Sequence, residues 1–247
     1  MQNPFQPLSI DDTFRFGCSP QVPCFNECCR DLNQLLTPHD VVQLKNHLGV
    51  SSSEFLERYC IQHIGPETGL PVVSLKPAET PDRACCFVTP EGCSVYSNRP
   101  ASCRTYPLAR AVSRSRGSGR ITEHFALLKE PHCQGHGRGR RQTVREWIED
   151  QELALCQQMN DLLVEIISLK NRRLPGPMNL RQGHLFHLAL YDVDAFRAHI
   201  FDKGLPEDFP AHANTLAAIR TDDLALLKLA HDWVKHILFG PAPQTAR

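Results

Sequence analysis

Ten of the eleven cysteines lie between Cys18 and Cys133, and all of these but Cys60 fall in two blocks whose spacing suits metal coordination. The first reads C-x5-C-x3-C-C, at Cys18, Cys24, Cys28 and Cys29. The second reads C-C-x6-C-x9-C, at Cys85, Cys86, Cys93 and Cys103, with Cys133 beyond a further 29 residues. Thiolates are soft ligands suited to zinc and to iron–sulfur clusters. Short spacings let neighbouring sulfurs reach one ion without a folded core between them. Adjacent residues of an extended backbone point to opposite sides, so Cys28 and Cys29 suit two metals or two corners of one cluster. Neither block has the paired C-x2-C knuckles of zinc ribbons, so spacing alone leaves the metal open; we favour an iron–sulfur cluster of the 4Fe–4S kind over zinc.

A disulfide framework is the competing reading. Such frameworks belong to short secreted chains, and the odd cysteine count and the lack of an apolar export signal over Met1–Phe16 weigh against it. No segment reaches the apolar length of a membrane span, and the expected compartment is the cytoplasm, with no membrane partner.

The residues around the cysteines resemble a known family. The run Phe16-Gly-Cys18 through Cys24-Phe-Asn-Glu-Cys28-Cys29, the stretch Cys93-Ser-Val-Tyr96-Ser-Asn-Arg99-Pro100-Ala-Ser-Cys103-Arg104-Thr-Tyr106-Pro107, and Cys133 ahead of Gly135 and Gly137 are similar to the bacterial YkgJ-type cysteine-cluster proteins, the CxxCxxCC family. The likeness runs from about Phe14 to Trp147 and more loosely to Phe196. It implies zinc or iron chelation through Cys18, Cys24, Cys28, Cys29, Cys85, Cys93, Cys103 and Cys133, enough thiols for two four-cysteine sites. Cys86 stands where the family usually has proline. Cys86, Cys60 and Cys156 are therefore read as spares, the last two on predicted helices. The resemblance extends to flagellin lysine-N-methylase, which makes a redox or group-transfer role available. No C-x3-C-x2-C radical motif and no glycine-rich nucleotide fingerprint accompany it, so an enzymatic reaction is not assigned.

Arg99, Arg104 and Tyr106 sit beside ligand candidates, where hydrogen-bond donors would offset thiolate charge and tune the centre. His132 and His136 flank Cys133 and could replace a thiolate. From Arg104 to Arg145 there are ten Lys or Arg against Glu123 and Glu130, a local net charge of +8. That segment offers an anionic or protein partner a docking site, against the simpler reading of a solvated hairpin tip. Over the whole chain 27 basic residues balance 27 acidic ones, so no global field draws the protein to nucleic acid.

The elements that must hold these groups are legible in places. Residues 1–36 read as loop. Thr37 caps a helix begun by Pro38 and stopped at Gly49, and Ser51 opens a second helix. Val72–Leu75 reads as a strand, and residues 106–112 and 121–128 as a β-hairpin. Thr143 and Glu146 form a capping-box signature opening a helical run to about Arg173, with a break near 150–152. Helices follow over 184–190, 192–201 and 222–238, the last capped by Thr221, and residues 240–247 read as a frayed tail. The predicted fold is mainly α with a small β-hairpin: an irregular cysteine-rich metal-binding region over 1–142, with a helical C-terminal region over 143–247 packed on it.

Overall fold

The computed structural model describes residues 4–31, 33–115 and 117–240; the tail from 241 onward lies outside the described residues. The fold is mixed α/β, 43% helix and 21% strand, and so not mainly α with a single hairpin. Strands occupy the stretch that local pattern reads as loop. Two compact units form, one from residues 4–33 with 77–157, the other from 34–76 with 158–240.

In the first unit the expected hairpin is present as strands Leu108–Arg114 and Ile121–Leu128, and Phe5–Leu8 adds a third antiparallel strand beside the latter. Thr13–Phe16 pairs with His136–Thr143 in a separate two-stranded sheet. The alternation of Thr13–Phe16 explains the pairing: Phe14 and Phe16 are buried while Thr13 and Arg15 face solvent. Their rings join Leu108, Phe125, Leu127 and Val144 in one apolar cluster, against which Tyr106, Cys133 and Trp147 pack. Phe16 meets Tyr106 edge-on at 5.7 Å and Trp147 at 5.9 Å, and the Trp147 indole N–H donates to the Thr105 carbonyl at 2.9 Å. The capping box at Thr143 and Glu146 forms as expected and starts helix Val144–Asp150.

Close strand approach explains Gly139 of His136–Thr143, while Gly137 has room for a side chain but a left-handed φ of +78°. Gly139 has φ +71°, and a Cβ there would lie 2.6 Å from the Phe16 carbonyl oxygen. Gly139→Ala is therefore expected to lower stability by about 1–3 kcal/mol, read as a shift in the urea unfolding midpoint. An unchanged midpoint would mean that the two strands can part without loss.

The second unit begins with helix Pro38–Leu48. Its Thr37–Asp40 capping box, Pro38 at the first position and left-handed Gly49 at the end match the sequence signals. Helix Ser52–Tyr59 leads into strand Cys60–Ile64, which pairs with Pro71–Leu75, itself flanked by Leu35–Leu36. Helices Leu180–Leu190, Val193–Lys203 and Asp223–Phe239 bury Phe186, Phe196, Leu226, Leu227 and Trp233. The last helix is capped by Asp222, which accepts from Leu224 and Ala225 N–H at 2.8 and 3.0 Å, so the cap lies one residue beyond Thr221. The break ahead of helix Ala154–Arg173 falls at 151–153.

His231 on helix Asp223–Phe239 is 1% exposed, and one of its ring nitrogens lies 2.7 Å from the Leu227 carbonyl. Burial pushes it down to about 4, and the nearby Lys235 ammonium pushes the same way. The folded chain then declines a proton that the unfolded chain accepts. Stability is expected to be full above pH 6.5 and to fall by up to about 3 kcal/mol as the pH drops towards 4. His231→Gln should flatten that acid limb in urea titrations at several pH values; an identical limb would show that His231 titrates normally.

Candidate metal centre

All eight candidate ligands belong to the first unit. Cys18 follows strand Thr13–Phe16 directly, and Cys24 lies in the turn beyond it. Asn26, held at φ 68°, leads into the short 3-10 helix Glu27–Cys29 that carries Cys28 and Cys29. Cys85 is fastened to that helix by its N–H, which donates to the Cys29 carbonyl at 2.7 Å. Cys93 sits on a minimal hairpin of Val88–Thr89 with Gly92–Cys93, and Cys103 on helix Ala101–Thr105. Cys133 closes a tight turn by donating its N–H to the Glu130 carbonyl at 3.0 Å. Sequence distance is thus removed by three links: Cys85 to Cys29, the Gln134 N–H to the Cys24 sulfur at 3.1 Å, and the Gly17 N–H to the Gly135 carbonyl at 3.1 Å.

Electrostatic reach sorts the thiols. Cys18 is pushed up to about 11, by burial first and then by Cys28, Cys24 and Cys133. Cys29 is pushed up by its hydrogen bond with Cys28, by burial, and by the fields of Cys28, Cys85 and Cys103. Cys93 is raised by burial and feels Cys85 and Cys28. Cys28 is brought down to about 7 by the hydrogen bond with the Cys29 thiol, and Cys85 to about 7 by that with Cys86. One thiol in each sequence block therefore ionises near neutral pH, and the thiolate is the form that binds metal.

The donor set fits zinc or iron in kind and in number: eight cysteine sulfurs, each half-buried or exposed. Among the described residues no three His, Cys, Asp or Glu side chains stand in ready-formed coordination geometry.

Neighbouring donors frame the group. Tyr106 is half-buried with its hydroxyl facing the Cys133 sulfur, short of a well-formed hydrogen bond; burial and then Cys133 push it well above the ordinary phenol range. Arg99 lies over the Tyr96 ring at 3.9 Å, donates to the Tyr96 carbonyl at 2.6 Å and to Gln151, and stands within electrostatic reach of Cys103 and Cys93. Arg104 is buried, donating to the Gln151 carbonyl at 3.2 Å and to the Ser97 carbonyl, while its Nε has no partner. Gln151, absent from the sequence reading, ties both arginines. Nothing in its local pattern marks it.

Cys156 is buried on helix Ala154–Arg173, Cys60 is buried in the second unit, and Cys86 is exposed beside Cys85. His136 packs edge-on against Phe16 at 5.5 Å, and His132 lies 3.6 Å from Glu130.

Residues 17–134, which include all eight candidate ligands, match the family model described as "CxxCxxCC: Putative zinc- or iron-chelating domain". No curated protein and no solved structure matches the chain. Among the described residues no helix is long and apolar enough to cross a membrane.

Proposed function

We propose that the first unit binds two metal centres, each held by four thiolates, and that they are iron–sulfur clusters. Cys18, Cys24, Cys28 and Cys133 form one ligand set; Cys29, Cys85, Cys93 and Cys103 form the other. The observation that carries this reading is the electrostatic grouping: Cys18 feels the other three of its set, and Cys29 feels two of its own together with Cys28 next door. Adjacent Cys28 and Cys29 thereby serve different sets, and their contact is the seam between the centres.

A bound cluster would supply one-electron redox chemistry. The chain's own residues position and bias it. The Gln134 N–H on the Cys24 sulfur places a donor at a ligand sulfur, which draws charge from it. Arg99 sets a fixed positive charge beside Cys93 and Cys103. Cys60 and Cys156 take no part, being buried small side chains.

Pulsed alkylation of the native protein, read by mass spectrometry, tests the ligand sets. The loaded protein should label at Cys86 and leave the eight ligands protected; after chelation the same pulse should add those eight. Equal labelling of the eight before and after chelation rejects the assignment.

A further inference from the structure

The outer face of the sheet formed by Thr13–Phe16 and His136–Thr143 carries a charge arrangement that the metal centre does not explain. Arg15 and Arg141 are direct cross-strand partners, and both are exposed. Like charges in that register oppose one another and weaken a sheet. Each guanidinium is nonetheless held in place: Arg15 donates to the Gly139 carbonyl at 3.2 Å, and Arg141 donates to the Thr13 hydroxyl at 2.9 Å. Arg138, exposed on the same strand, donates to the Gln134 carbonyl at 2.8 Å. Among the described residues none of the three is paired with a carboxylate, whereas neighbouring Arg140 and Arg145 pair with Asp150 and Asp11. Among the described residues His136–Thr143 pairs with a strand on one edge only, which leaves its other edge open.

We infer that this face docks an extended, Asp- and Glu-rich segment of a partner protein, with Arg15, Arg138 and Arg141 as its carboxylate contacts. Charge complementarity commits the occupant. Three oriented guanidiniums without carboxylates match carboxylates brought from outside, and an open strand edge accepts an extended chain. Single-stranded nucleic acid is the rival, and stacking argues against it. The aromatic side chains of this sheet, Phe14 and Phe16, are turned into the core, which leaves the face without a platform for bases. The face adjoins the first ligand set, since Cys18 follows one strand and Cys133 precedes the other. A partner docked here would sit at the centre's edge, and this holds for either metal.

The test is fluorescence anisotropy of a labelled octapeptide of alternating Glu and Val against the full, metal-loaded chain over a salt series. Arg141→Glu and the double change Arg15→Glu with Arg141→Glu are the variants, and Arg172→Glu in the second unit is the control. Binding that weakens with salt, falls about tenfold or more in the reversed variants, and persists in the control is the expected result. The thermal midpoint of Arg141→Glu should be unchanged or higher, because a like-charge opposition has been removed. Metal content is measured alongside, so that loss of the centre is told apart from loss of docking. Absence of peptide binding, binding that survives charge reversal, or tighter binding of a single-stranded oligonucleotide of equal charge would each overturn the proposal. If the arginines only keep an open edge solvated, reversal to glutamate serves as well and peptide binding does not depend on it.

Discussion

Cys103→Ser is expected to remove about half of the bound metal and to lower the apparent stability of the loaded protein by several kcal/mol, because binding and folding of a thiolate site are coupled. Cys103 lies on the short helix Ala101–Thr105, whose Arg104 is bound to Ser97 and Gln151, so loss of its centre should loosen that whole corner. A serine oxygen is a poor ligand where a soft thiolate is required. The set of Cys18, Cys24, Cys28 and Cys133 should still load, and Cys133→Ser should show the converse. Cys156→Ala, which alters a buried side chain outside both sets, should leave the metal count unchanged. Metal analysis of the purified variants reads this directly. Full metal in Cys103→Ser removes Cys103 from the ligands, and complete loss in either single variant replaces two independent centres with one joint site.

The second large effect is expected in the other unit, at a residue with no part in metal binding. Lys45 is buried, with its ammonium 3.1 Å from Asp194 and 2.8 Å from Asp223. Arg197 bridges the same two carboxylates, Asn46 donates to Asp223 at 2.9 Å, and the Ser52 N–H donates to Asp194 at 2.8 Å. Burial pushes both carboxyls up, but these donors outweigh it and hold them below their ordinary value. Removing the ammonium leaves two enclosed carboxylates sharing one guanidinium. Lys45→Ala should cost about 3 kcal/mol in urea unfolding at neutral pH. Because the carboxyls are depressed, their contribution is present above the ordinary carboxylate pKa and is lost as the pH falls through their lowered values. The deficit of Lys45→Ala relative to the native chain should therefore shrink in acid. A cost below about 0.5 kcal/mol at neutral pH would class the network with ordinary surface pairs.

The sequence revealed this protein where the cause was local. Thr37 with Asp40, Thr143 with Glu146, and Gly49 each determine a helix end by contacts within four residues, and each was legible. The hairpin Leu108–Arg114 with Ile121–Leu128 was equally plain. Strand Phe5–Leu8 was not, because it is mostly exposed and is a strand only through its pairing with Ile121–Leu128, over a hundred residues on. His136–Thr143 reads as a glycine- and arginine-rich loop, and it is held by Phe14 and Phe16 from the far end of the unit. Period-two alternation cannot be seen in a strand whose one buried position is Gln142 and whose centre, Gly137 to Arg141, is exposed throughout. At the site, cysteine type and spacing nominated the thiols, and the family likeness narrowed them to eight. Which thiols group together depends on the Cys85–Cys29 and Gln134–Cys24 hydrogen bonds, tertiary links with no signature in either block.

The central claim is that these thiolates hold iron–sulfur clusters. Its most direct test is purification without oxygen, followed by the visible spectrum and assays of iron, zinc and acid-labile sulfide per chain. Iron–sulfur clusters give a brown protein with iron and sulfide in equal amounts and a broad visible band that bleaches on reduction. A colourless protein with stoichiometric zinc and no sulfide would contradict it.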